Sequence, residues 1–423
     1  MKRLRPYALF VVLAIALVAL LVADLLLGTT EIPLADVWAT LTGGVPSDAT
    51  NSFIIRELRL PKVIVAIFAG MALSASGLQM QTLFRNPLAG PYVLGINSGA
   101  SLGVALFTLA APMLGALSGT MLANIGLTGM AWIGSAAILL LVMLLSRKIR
   151  NINVILIIGM MLGSAISAIV GILQYMGTEE SLKAFVVWTM GSLSTVTMEQ
   201  LAILIPVVVV GLLLAIIVIK PLNILLLGES YARTLGLNVA RSRTIIFLST
   251  TLLAGTVTAF CGPIGFIGLA MPHLARMTFR TSDHRVLMPA SMLWGALSML
   301  LCCFVCDLVA YGGIATFPIN AVSSLLAAGH SPAATPITAI EWRIGFTDSI
   351  EPLLEAHHKK ALILGTGGSS KAIYHGLKKL GIEAKFVSRT AKEGMFTYED
   401  LTKEVMDEYK VIVNCTPVGM YPR

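Results

Sequence analysis

Long apolar runs separated by short polar connections fill the first 340 positions of the chain. A helix that crosses a bilayer needs about 20 mainly apolar residues, and on that scale the sequence predicts nine spans. They are Tyr7–Leu27, Val63–Met80, Val93–Leu114, Met121–Leu145, Val154–Met176, Leu201–Ile219, Thr244–Cys261, Ile264–Met277 and Val286–Tyr311. The predicted fold class is mainly α, a polytopic transmembrane helical bundle, with the first run kept as a span because no small-residue cleavage site closes it.

The basic residues predict how this bundle is oriented. With a cytoplasmic amino terminus, 14 of the 18 lysines and arginines before position 341 fall in cytoplasmic segments. Cytoplasmic loops are enriched in these residues. We therefore predict a multi-pass protein of the bacterial inner membrane, with the lipid bilayer as a partner.

Composition excludes some classes of function. Only 12% of the 423 residues are charged and 56% are hydrophobic, whereas soluble domains carry about 25% charged residues. The net charge of +8 comes from short clusters between apolar runs, so we expect no nucleic-acid partner. The last 83 residues hold half of all the acidic side chains and read as a soluble segment.

Cys303 and Cys306 have the CxxC spacing of some metal and redox sites. A tetrahedral metal site needs four ligands, and the sequence offers no second pair. We interpret them as small residues that pack in a membrane helix and predict no metal.

The longest cytoplasmic connection contains a short helical pattern from Leu227 to Gly236. Its apolar residues fall at helical spacing, and a glycine can end the helix. An amphipathic element outside the bilayer can dock into a groove on a partner. Periodicity alone favours the other interpretation, a surface helix that only links two spans.

Four motifs resemble one transport family, the permease subunits of iron–siderophore, haem and cobalamin ABC importers. They occur in order over about 325 residues: ELRLPK (57–62), LFRNPLA (83–89), LGINSGA (94–100) and GPIGFIGLAMPHLAR (262–276). The resemblance implies a ten-helix subunit without a cofactor. It also implies three kinds of protein partner: a second permease copy in a homodimer, two cytoplasmic ATPase subunits, and a periplasmic substrate-binding protein.

The same resemblance assigns residues to two docking surfaces. The ATPase-coupling residues are Glu229, Ala232, Leu235 and Gly236. Arg56, Arg59 and Lys62 would face the periplasm and pair with carboxylates of the binding protein. These are three of only four basic residues on the acidic outer side, and rim charges steer docking.

A secondary transporter is the competing class of membrane protein. Such a transporter needs ionisable groups deep in the bilayer, but Asp24 and Asp307 lie towards span ends.

After Leu326 the sequence turns to prolines and small residues, so we expect the family's last helix to be missing. The permease domain is then 1–326, with a junction at 327–344.

A second resemblance covers 345–423. Strand Lys360–Leu364 runs into a glycine turn and a helix, an arrangement that can bind a pyrophosphate, and Arg389 suggests a 2′-phosphate. With NCTPVGM (414–420), this segment resembles the NADP-binding Rossmann-like domain of shikimate dehydrogenases. The residues implied in weak NADP binding are Gly365, Gly367, Gly368, Ser369, Arg389 and Thr416.

This tail lacks the family's substrate domain and its catalytic residues. We interpret it as a truncated, inactive fragment joined to the permease as a chimera, placed on the outer side by the nine spans. The chain as a whole is then a transport subunit and not an enzyme. The alternative is an NADP-dependent shikimate dehydrogenase-type oxidoreductase fused to a membrane anchor.

Overall fold

The computed structural model describes residues 4–28, 30, 32–110, 121–149, 152–311, 317–328, 359–364, 368–388 and 395–414. They form two compact units, a helical unit and a carboxyl-terminal α/β unit. The helical unit contains α1 (Leu4–Leu26), α2 (Leu34–Thr42), α3 (Ala49–Phe53), α4 (Leu60–Phe84), α5 (Ile96–Ala105), α6 (Met121–Lys148), α7 (Ile152–Met176), α8 (Glu179–Thr189), α9 (Met198–Ile217), α10 (Ile219–Leu225), α11 (Glu229–Thr234), α12 (Val239–Thr250), α13 (Thr256–Cys261), α14 (Ile267–Phe279), α15 (His284–Tyr311) and α16 (Ile319–Ala328).

Three π-helical segments lengthen these helices. Ile54–Arg59 joins α3 to α4 in one continuous helix, Leu106–Ala110 extends α5, and Thr251–Gly255 joins α12 to α13. Each π turn holds one more residue than an α turn, so it rotates the side chains that follow. Arg59, the last residue of the first segment, is turned inward and buried.

Seven helices of the described chain are long and apolar enough to cross a bilayer. They are Tyr7–Leu26, Ala49–Phe84, Gly126–Ser146, Val154–Met176, Met198–Ile217, Val239–Cys261 and His284–Ala310. These match seven of the nine predicted spans.

The other two predicted spans need correction. Ile264–Met277 is not one apolar rod, because its first residues are non-helical and α14 has only 13 residues, about 20 Å. The part of Val93–Leu114 that is described is a shorter apolar helix, Ile96–Ala110. Residues 111–120 lie outside the described chain.

The chain is non-helical before α14, next to Pro263. Gly262 has φ 75°, which favours glycine, and a Cβ there would lie 2.5 Å from the Trp188 carbonyl oxygen. The backbone groups freed by the break find partners: Tyr92 donates to the Ile264 carbonyl at 3.0 Å, and the Gly265 amide donates to Asn320 Oδ1 at 3.1 Å. Irregular backbone at membrane depth requires such partners.

Helix α4 lies at the centre of the bundle, and most of its residues are buried. It is rich in Ala, Ser and Gly, and small residues let membrane helices approach closely. A Cβ at Gly77 would lie 1.6 Å from the Gly268 carbonyl oxygen on α14, and one at Gly70 would lie 2.2 Å from the Gly295 carbonyl oxygen on α15. These three helices therefore touch backbone to backbone.

The carboxyl-terminal unit contains a parallel sheet. Its elements are β1 (Lys360–Leu364), α17 (Gly368–Lys379), β2 (Glu383–Ser388), β3 (Phe396–Thr397), α18 (Lys403–Glu408) and β4 (Val411–Asn414). The strand order is β3-β2-β1-β4, with every pairing parallel. Strand β1 has the predicted bounds, whereas β3, which has only two residues, was not predicted.

We expect Gly77→Ala to destabilise the bundle by about 1–3 kcal/mol, because the added methyl group overlaps the α14 backbone. Denaturant titration of the detergent-solubilised protein measures the loss. Gly171→Ala is the matched control, since nothing lies within 4 Å of a Cβ at Gly171. Equal stability of the two variants would show that α4 and α14 are not in backbone contact.

Candidate functional site: the α11 segment and a buried charge cluster

The predicted docking helix exists as α11, bounded by two glycines. Gly228 precedes it with φ 103° and Gly236 follows with φ 81°. The Leu237 amide donates to the Ala232 carbonyl at 3.0 Å, which closes the helix end. Ala232 is buried, whereas Leu235 is 58% exposed and Tyr231 is also exposed. The segment therefore anchors through Ala232 and presents apolar side chains outward.

Glu229 faces a partner within the chain. Its Oε1 accepts hydrogen bonds from Arg243 on α12, from Nε at 3.1 Å and also from Nη2. The Arg243 side chain is buried, so the Glu229 carboxylate compensates its charge. Glu229 thus fixes α11 on α12, a role that sequence analysis did not predict.

A chain of hydrogen-bonded side chains joins α4, α15 and α10 at the same end of the bundle. Thr82 Oγ1 lies 2.8 Å from His284 Nε2, and His284 Nδ1 lies 2.7 Å from Asn223 Oδ1. The Asn223 amide donates to Asp283 Oδ1 at 2.6 Å. Asn223 lies six residues before α11, so this chain positions the helix from which the docking segment departs. No motif marked Asn223 or His284 in the sequence.

The opposite end of α4 carries a charge cluster formed by Asp24, Arg59, Lys62 and Asp307. Lys62 Nζ pairs with Asp307 Oδ2 on α15, and both side chains are largely buried. Both Asp24 oxygens are buried and have no hydrogen-bond partner among the described residues. Asp24 lies within electrostatic reach of Lys62, Asp307 and Arg59. The cluster joins α1, α4 and α15, and it lies 20 residues along one helix, about 30 Å, from Thr82.

The placement of Arg59 and Lys62 corrects an expectation about the outer rim. We predicted exposed cations, but Arg59 is only 7% exposed. Its guanidinium donates to the Leu25 carbonyl at 2.7 Å and to the Thr30 carbonyl. Arg56 is exposed as predicted and donates to the Thr40 carbonyl at 3.3 Å. The physical reason is that the interior supplies acceptors for Arg59 and a carboxylate for Lys62.

The predicted nucleotide-binding residues of the tail fall mostly outside the described chain. Gly365, Gly367, Arg389 and Thr416 lie there, while Gly368 and Ser369 begin α17 just after β1. The strand and helix are therefore in the predicted order. Binding of NADP stays a prediction.

Comparison with known proteins decides the family. The FecCD transport family model matches residues 15–329. The chain belongs to the FecCD transport family. It is accordingly a transport permease subunit of the inner membrane, as its homologues are, and not an enzyme.

Characterised relatives in this family share about a third of their residues with the chain. The Hemin transport system permease protein HmuU of Yersinia pestis is 37% identical over 306 residues, covering 70% of this chain and 86% of the relative. The Fe(3+) dicitrate permease FecC of Escherichia coli is 34% identical, covering 68% and 84%. The Vitamin B12 permease BtuC of Salmonella paratyphi A is 36% identical, covering 66% and 82%.

A solved structure is similar as well. A metal-chelate type ABC transporter, in an inward-facing conformation, is 33% identical, with a TM-score of 0.64. The match covers 77% of this chain and 97% of that one. The helical unit therefore has the fold of this transporter class.

We expect Lys62→Met to cost about 3 kcal/mol of stability, because it leaves Asp307 buried without its partner. Asp307→Leu should cost a similar amount by leaving Lys62 unpaired. The double variant should lose less stability than the two single variants lose together, since it removes both charges at once. Denaturant titration in detergent gives all three values. Strictly additive losses would show that the two residues do not interact.

Proposed function

We propose that this chain is the membrane-spanning subunit of an ATP-driven importer whose cargo is a metal chelate of the iron–siderophore, haem or cobalamin kind. The observation that carries the proposal is the family match over nearly the whole helical unit. The names of its relatives cover haem, ferric citrate and vitamin B12.

The proposed assembly has a second copy of the permease, two cytoplasmic ATPase subunits and a periplasmic binding protein. Docking segment α11 supports the ATPase contact, because it presents Tyr231 and Leu235 at the end of the bundle where the basic loops lie. We propose that Leu235 enters the ATPase groove. Glu229, Ala232 and Gly236 would shape the segment, through the Arg243 pair, burial and the left-handed turn respectively.

On the outer side the proposal gives Arg56 a different role from Arg59 and Lys62. Arg56 is exposed and would meet a carboxylate of the binding protein. Arg59 and Lys62 are engaged within the bundle, so we propose that they hold the rim in shape. An exposed pair adds only about 0–1 kcal/mol, which suits Arg56 to steering rather than tight binding.

The proposal for ATPase docking is tested by Leu235→Asp. A carboxylate on the apolar docking surface should reduce co-purification of the ATPase at least tenfold, because a charge would have to be buried at the interface. Membrane insertion should be unchanged, since Leu235 makes no buried contact. Affinity purification from membranes that contain both subunits measures this.

Leu58→Asp is the matched control, because Leu58 is similarly exposed, at 54%, but lies towards the opposite end of the helix that contains α4. It should leave ATPase binding intact. Retained co-purification in Leu235→Asp, or equal loss in both variants, would remove Leu235 from the ATPase interface.

For the tail, we propose an NADP-binding domain without activity. The parallel order of β1, α17 and β2 supports the binding half of this proposal, because a strand followed by a helix amino terminus suits a pyrophosphate. Hydride transfer also needs a positioned substrate and an acid or base, and the resemblance supplies neither.

We therefore expect no shikimate-dependent reduction of NADP by the purified chain, measured by absorbance of the reduced cofactor. Reduction that disappears in Arg389→Ala would favour the alternative, a shikimate dehydrogenase-type enzyme fused to a membrane anchor.

A further inference from the structure

Helix α2 presents an apolar stripe that no described residue covers. Leu34, Trp38 and Leu41 recur at i, i+4 and i+7, which places them on one face of the helix. They are 60%, 70% and 48% exposed. Three large apolar side chains in one row form an exposed patch of the kind that marks an interaction surface.

The opposite face of α2 packs against the rest of the helical unit, so the Leu34–Trp38–Leu41 stripe must face away from it. Asp36, Val37 and Thr40 are buried. Asp36 accepts hydrogen bonds from the Ser47 hydroxyl, from the Ser47 amide at 2.9 Å and from Asn51 Nδ2 at 2.7 Å. These bonds lower the pKa of the Asp36 carboxyl. The carboxylate therefore stays charged at neutral pH and keeps accepting the hydrogen bonds from Ser47 and Asn51.

Contacts at its two ends give the level of α2 in the membrane. At the start, the Ile32 amide donates to the Leu26 carbonyl at 3.4 Å, which folds the chain back onto the end of span α1. At the other end, Thr40 accepts from Arg56, which lies six residues, about 9 Å, beyond Lys62 along its helix.

The length of α4 relates that level to the bilayer. From Lys62 to Phe84 the helix rises about 33 Å, close to the roughly 30 Å thickness of the hydrocarbon core. Lys62 therefore marks the outer boundary of the hydrocarbon. The headgroup layer adds about 5–8 Å on each side, so α2 starts near the hydrocarbon boundary and its far end reaches the outer edge of the headgroup layer.

We propose that α2 is an interfacial helix whose Leu34–Trp38–Leu41 stripe is inserted in the outer leaflet, at the boundary between headgroups and acyl chains. Val18 and Val22 of span α1, the helix that precedes α2, are exposed as well. Tryptophan is enriched at this depth. Because α2 contains no basic residue, the apolar side chains supply the attachment, and a zwitterionic lipid is sufficient.

Attachment of α2 to lipid also affects the position of Arg56 at the outer rim. Thr40 receives the exposed Arg56, so a helix anchored in lipid holds that cation at a constant height above the membrane. A stripe that faced water would leave the height of Arg56 to the protein alone.

Tryptophan quenching in vesicles tests this with the full chain. The protein is reconstituted in phosphatidylcholine vesicles, and the Trp38 signal is the difference between unmodified protein and Trp38→Phe. Acyl chains brominated at carbons 6 and 7 should at least halve this signal and should quench it more than chains brominated at carbons 11 and 12. Aqueous iodide should have little effect, and adding one third phosphatidylglycerol should change nothing.

Trp132→Phe supplies the control for lipid contact, because Trp132 is an exposed residue of span α6. Its difference signal should respond to brominated chains and not to iodide. Quenching of Trp38 by iodide without quenching by brominated chains would overturn the proposal in favour of water. Shielding from both quenchers would overturn it in favour of a protein cover, either a second copy or a binding protein.

Discussion

Backbone contact between α4 and its two neighbours, α14 and α15, is the constraint on which the helical unit depends. Lipid tails are as apolar as the helices, so burial of apolar surface does not draw membrane helices together. Contact through Gly70 and Gly77 supplies dispersion energy instead, since no side chain separates the backbones. A central helix held this closely keeps a nearly constant separation between the outer charge cluster and the cytoplasmic hydrogen-bond chain.

The polar residues at the two ends divide into those that hold the fold and those that remain available to partners. Lys62 pairs with Asp307 and Arg243 pairs with Glu229, each largely within the bundle. Buried pairs are costly to break, so they fix geometry and are poorly suited to exchange with a partner. Arg56 and Leu235 are exposed at the two ends, so they have the accessibility that the proposed docking requires.

Hydrophobic run length and glycine position predicted much of this arrangement. Seven spans and the boundaries of α11 were foreseeable because each depends on local sequence. Three features were not: Lys62 and Asp307 are separated by 245 residues, the π turn that buries Arg59 has no sequence signature, and α14 resembles a span in composition although it is short. Similarly, β3 was missed because two residues carry no pattern.

The outer charge cluster also has a consequence for how the chain is made. Ribosomes add residues from the amino terminus, so Asp24 reaches the bilayer before Arg59 and Lys62 do. Lys62 follows within the second span, but its partner Asp307 arrives only after more than two hundred further residues. Until then Asp24 is the carboxylate of the cluster that lies within electrostatic reach of Lys62. A chain released before α15 would lack Asp307 altogether, and its Lys62 would stay without that carboxylate.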